Sequence, residues 1–81
     1  MSISNDRYNH LLNKARGAKR GGHSAWAVQS TGEKVAVALV LNSADWLEEF
    51  DYTLAEAIER TGQEWVAIIP QIARQLTEEE A

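Results

Sequence analysis

Apolar residues recur with two different periods along this chain, and the change of period predicts its elements. Tyr8, Leu11, Leu12 and Ala15 stand at i, i+3, i+4 and i+7. That spacing makes one apolar stripe on a helix, with Arg7, Asn9, Lys14 and Arg16 turned largely to water. Ser4 or Asn5 suits its N-cap, and Gly17 suits the left-handed position past its end. The glycine-rich basic run that follows, residues 17–23, has little to fix its backbone and predicts a mobile loop.

The period then changes to two. Trp26 and Val28 alternate with Ala25, Ala27 and Gln29; after Ser30-Thr31-Gly32-Glu33, the large Val35, Val37, Leu39 and Leu41 alternate with Ala36, Ala38 and Val40. Alternation on either side of a Gly-containing turn predicts an antiparallel β-hairpin. Both faces are apolar, so both should be covered. A two-stranded sheet is marginal alone and has open edges. Three remedies exist: a third strand, covering helices, or pairing with a second copy of the chain.

Helical signals return afterwards. Asn42 or Ser43 opens a short turn from Ala44 to Phe50, with Trp46 and Phe50 one turn apart. Thr53-Leu54-Ala55-Glu56 is a capping box, opening a helix with Leu54, Ala57, Ile58 and Thr61 on one face and Gly62 at its end. Trp65, Ile68, Ile69, Ile72, Ala73 and Leu76 continue a helical stripe across Pro70. Six stripe positions favour a helix kinked at Pro70 over a strand from Trp65 to Ile69 followed by a helix opening at Pro70. The acidic tail, residues 77–81, opposes the helix dipole and should fray.

The fold class expected is therefore α+β: an N-terminal helix, a central hairpin completed by dimerisation, and two to three C-terminal helices (αββαα). The core expected is Leu11, Leu12, Trp26, Val28, Val37, Leu39, Leu41, Trp46, Leu54, Ile58, Trp65, Ile68, Ile72 and Leu76. The 81 residues fit one domain, but a chain this short buries only about 60% of its unfolded surface. With no cysteine there is no disulfide and no thiolate-bound zinc, which leaves oligomerisation as a source of stability. The expected state is a homodimer. No signal-like or membrane-spanning segment is legible in the pattern, so the cytoplasm is the compartment expected.

Charge divides the chain. Residues 1–34 carry six basic groups against two acids, a balance of +4; residues 35–81 carry two arginines against ten acids, a balance of −8. Such halves either attract each other within the fold or address a charged partner.

Little in this pattern is catalytic. His10 lies one turn after Asp6, which reads as a surface ion pair, and His23 belongs to the glycine-rich segment. No nucleophile, phosphate loop or metal spacing accompanies them, so neither enzyme activity nor any cofactor or metal is expected. Two binding surfaces remain. Asp45, Trp46, Glu48, Glu49 and Asp51 form an acidic, aromatic patch suited to a basic protein partner. Arg7, Lys14, Arg16, Lys19 and Arg20 form the alternative, a basic segment suited to nucleic-acid phosphates, although a pI near 5.0 weighs against it. The function expected is a non-enzymatic interaction domain, of the small acidic kind found among bacterial and phage accessory proteins.

Overall fold

Residues 25–41 do not form a hairpin: the computed structural model, which describes residues 3–80 (side chains from 6 to 79), consists of helices joined by short turns, with no strand among the described residues. The elements are α1 (Ile3–Gly21), α2 (His23–Ala27), α3 (Thr31–Val40), α4 (Ala44–Glu48), α5 (Leu54–Thr61), α6 (Gln63–Val66) and α7 (Ile69–Glu80). The α+β expectation is therefore corrected to all-α. The unpaired sheet edges that argued for a dimer disappear with it.

The reason lies at Ser30. Its hydroxyl accepts from the Glu33 amide at 3.3 Å, and its own amide donates to Glu33 Oε1 at 3.0 Å. This is a reciprocal capping box, which ties up two N-terminal backbone donors and starts a helix where a β-turn was expected. Beyond it, Val35 to Leu41 is apolar at every position, so the alternation of large and small side chains fits a helix as well as a strand. A helix apolar all round must be buried. α3 is: Val35, Ala36, Val37, Ala38 and Val40 are all core residues. It packs against α1, α2, α4, α5 and α7. Both faces are covered, as the pattern required, but by helices.

α1 lays Leu11, Leu12, Ala15 and Ala18 into this core, and α7 adds Ile72 and Leu76. α1 runs four residues past Gly17, so most of the expected mobile loop is helix. The turn falls instead at Gly22, and His23 lies in α2. α1 is already helical at Ile3, while the Ser4 and Asn5 side chains expected as caps lie outside the described set. α2 carries Trp26, which is 1% exposed and donates from Nε1 to the Lys34 carbonyl at 2.8 Å. Trp46 stacks on it at 4.7 Å and Phe50 meets it edge-on at 5.9 Å, so α2, α4 and the turn after α4 share one aromatic cluster.

The second capping box forms as the sequence predicts: Thr53 Oγ1 accepts from the Glu56 amide at 3.1 Å, and the Thr53 amide donates to Glu56 Oε1 at 2.8 Å. Gly62 ends α5 at φ 92°. The C-terminal segment breaks at Ala67–Ile68, between a short α6 and α7. Neither a helix throughout nor a strand results. Pro70 falls in the first turn of α7, where its missing N–H costs no helical bond, and the ladder begins with Ile72 N–H donating to the Ile68 carbonyl at 3.0 Å. Of the acidic tail, residues 77–80 belong to α7, with Glu79 paired to Arg16 of α1, and Ala81 lies outside the described residues. Among the described residues no helix is long and apolar enough to cross a membrane.

Candidate docking surface

The expected acidic patch lies on α4 and the turn after it. Ser43 caps α4 by accepting from the Trp46 amide at 3.4 Å, which fixes Trp46 against Trp26. Trp46 is thus part of the aromatic cluster and half-buried. Glu49 Oε2 lies 2.6 Å from His23 Nε2. Asp45, Glu48 and Asp51 are exposed. The patch combines these exposed carboxylates with the half-buried rings of Trp46, Phe50 and Tyr52.

The basic segment is largely engaged within the fold. Arg7 meets Glu64 at 2.6 Å, Lys14 lies 3.9 Å from Glu33, and the Arg16 guanidinium holds Glu79 through two hydrogen bonds. Lys19 Nζ donates to the Leu76 carbonyl at 3.5 Å, and Arg20 is exposed close by. Hydrogen bonding from Arg16 holds the Glu79 carboxyl below the usual carboxylate range. The opposite halves of the charge pattern therefore join α1 to α6 and α7.

Glu33 ties α3 to α1. It closes the Ser30 box, accepts from or shares a proton with His10 Nε2 at 2.6 Å, and lies near Lys14. His10 in turn stacks on Trp65 at 5.8 Å, and so bonds to α3 rather than pairing with Asp6 as expected. Burial acts to raise the Glu33 pKa. The Ser30 amide, His10, the Ser30 hydroxyl and Lys14 outweigh it, and hold the carboxyl below its ordinary value. A depressed folded pKa stabilises the protein above the unfolded value and loses that contribution as pH falls through the folded one. Urea unfolding followed from neutral pH to below the carboxylate range should therefore show a loss of stability on acidification that is smaller in Glu33→Gln. Equal slopes in the two proteins would remove Glu33 from this role.

Each histidine lies within hydrogen-bonding distance of a carboxylate of the fold, His10 of Glu33 and His23 of Glu49. The Ser30 hydroxyl is engaged by the Glu33 amide and not by an imidazole, and among the described residues no group of three or more His, Asp or Glu side chains gathers as metal ligands do.

A third surface was not foreseen. The sequence placed Leu54 and Ile58 in the core, yet Leu54 is 66% exposed and Ile58 48% exposed. α5 packs on α3, and its one fully buried residue is the small Ala57; the Thr61 hydroxyl bonds back to the Ala57 carbonyl at 2.8 Å. Close approach on Ala57 rolls the two large residues outward. Ile58 and Val66 line two adjoining cavities. One, of about 220 Å³, is completed by Leu39, Ile69 and Pro70; the other, of about 400 Å³, by Ala55, Glu59, Gly62 and Gln63. Together they make an apolar groove between α5 and the α6–α7 break. Val28, also expected in the core, is 85% exposed in the α2–α3 turn. A single exposed valine is ordinary, whereas a contiguous apolar surface is the usual mark of an interaction site.

The only hint of this groove in the sequence was the break that Pro70 imposes, since the stripe Leu54–Ala57–Ile58–Thr61 does not say which of its members faces inward. The described residues form a small helical protein with an open groove between α5 and the α6–α7 break. Comparison with protein-family models, with curated proteins and with solved structures finds no match to this chain.

Proposed function

We propose that the protein is a non-enzymatic docking module, whose groove between α5 and α6–α7 receives an apolar segment of another protein. The observation that carries this reading is the exposure of Leu54 and Ile58 beside an apolar cleft, in a fold whose other large aliphatic residues are mostly covered. The acidic balance of residues 35–81 supports a basic partner, with Asp45, Glu48 and Asp51 as outlying charge rather than as the anchor. Pairing of Arg7, Lys14 and Arg16 with carboxylates leaves the alternative, a phosphate-binding segment, without a comparable feature. The cysteine-free composition accords with a cytoplasmic setting.

Selection of a displayed peptide library on the full chain, with counter-selection on Ile58→Asp, tests the reading. Peptides enriched on the wild type should bind the variant at least about tenfold more weakly, a difference of about 1.4 kcal/mol. The substitution is at a half-exposed site, so unfolding stability should fall by no more than about 1 kcal/mol. Peptides that bind both proteins equally would place docking elsewhere, and a library that yields no enriched binder would count against docking altogether.

A further inference from the structure

We infer that, while no partner is bound, the groove face is covered by the same face of a second copy of this chain, so that self-association competes with docking. The inference rests on the docking reading above and adds the resting occupant of that surface.

The exposed apolar residues supply the need for a cover. Leu54 and Ile58 on α5 are exposed, Val66 and Ile69 across the groove are half-buried, and Pro70 is exposed. A chain of 81 residues without cysteine buries a smaller share of its surface than a larger domain, and has no disulfide to compensate. A contiguous apolar face is then a liability whenever the partner is scarce. A second copy, by contrast, is present at the concentration of the chain itself.

Charge singles out that copy. In a two-fold interface residue i of one copy meets residue j of the other, and j meets i, so the face must be complementary to itself. The α5 wall carries Glu59, which lines the larger cavity, and the α7 wall carries Arg74, exposed one turn beyond Pro70. Neither belongs to an ion pair within the described residues. Arg60 follows Glu59 but lines neither cavity of the groove; its Nη1 lies 3.8 Å from where a Cβ on Gly32 would stand, at the start of α3. The groove thus has an acid on one wall and a base on the other. A uniformly cationic or anionic partner meets repulsion on one wall, whereas a copy of the same face meets attraction on both.

This pairing fixes the symmetry. A two-fold axis lying along the groove sets α5 of each copy on the α7 wall of the other. Glu59 then comes to the side that carries Arg74, and Leu54 and Ile58 come to the side of Ile69 and Pro70. An axis across the groove would instead oppose α5 to α5, acid to acid. One groove makes a small interface, so the dimer should form only at micromolar concentrations or above, and yield to a partner.

Sedimentation velocity of the full chain, from about 1 µM to about 1 mM, tests the inference. The wild type should pass from monomer to dimer and no further, and added salt should weaken the dimer. Ile58→Asp should remain a monomer throughout. Glu59→Arg and Arg74→Glu, both at exposed positions, should each weaken association several-fold. The double reversal, Glu59→Arg with Arg74→Glu, should restore most of it, because each copy again meets opposite charge. A peptide selected on the groove should return the wild type to monomer. A wild type that is monomeric throughout overturns the inference, as does association that survives Ile58→Asp or grows beyond a dimer. A double reversal no stronger than the single ones overturns the two-fold pairing on which it rests. A selected peptide that leaves the dimer intact puts self-association on another surface and overturns it as well. Binders selected on a wild type that stays monomeric would keep the docking reading and remove only the second copy.

Discussion

Truncation of Trp26 to alanine is expected to remove about 3–5 kcal/mol of stability, enough to leave the chain largely unfolded at ambient temperature. Domains of this kind have only roughly 5–15 kcal/mol in hand, and a short chain lies toward the lower end. Trp26 is 1% exposed and is the largest fully buried side chain described. Its ring carries Trp46 on one face and meets Phe50 edge-on, and Lys34 Nζ lies 5.5 Å from its centroid. Its indole N–H fixes α2 on the Lys34 carbonyl. Alanine removes the packing and leaves that carbonyl without its donor. Trp26→Phe separates the two contributions: it keeps most of the apolar volume but loses the hydrogen bond, and should cost roughly half as much. Urea unfolding followed by circular dichroism measures both. A Trp26→Ala protein with an unchanged midpoint would refute the placement of α2 in the core.

The next largest effect is a change of sign within one glycine-rich segment. Gly22 sits at φ 71°, ψ −156°, a region essentially confined to glycine, so Gly22→Ala should cost about 1–3 kcal/mol. Gly21→Ala should also destabilise, because a Cβ there would stand 2.6 Å from the Ala25 Cβ and push α2 away from the end of α1; overpacking of this kind costs about 1–3 kcal/mol. Gly17 is different. It lies inside α1 with nothing within 4 Å of an added Cβ, so Gly17→Ala should stabilise by about 0.5–1 kcal/mol. A mobile loop over residues 17–23 would give three small effects of similar size. The three midpoints, measured side by side, therefore distinguish a helix with a tight turn from a loop.

The sequence by itself determined those features that depend on near neighbours in the chain. The Thr53–Glu56 box, the end of α5 at Gly62, the stripe of α1 and the burial of Ile72 and Leu76 were all legible, because each rests on contacts or periodicities a few residues long; Trp26 and Val37 were placed in the core rightly, but on the period of a strand that does not form. Ser30-Thr31-Gly32-Glu33 carried the same box signature as Thr53–Glu56, but its Thr-Gly pair also reads as a turn. The apolar run after it was compatible with either period. Only the helices packed around Val35–Val40 decide for α3, since burial on all sides satisfies an all-apolar helix and no sheet partner exists to satisfy a strand.

Tertiary structure likewise decided the candidate site. Leu54, Ala57 and Ile58 share one helical stripe, and nothing local says that Ala57 would face α3 while its larger neighbours face out; the close approach of two helices sets that rotation. The charge asymmetry was visible in the chain, but its main use was not. Arg7, Arg16 and His23 find Glu64, Glu79 and Glu49 across distances of 26 to 63 residues in sequence, so pairs that engage much of the basic segment and one member of the acidic patch exist only once the helices are in place.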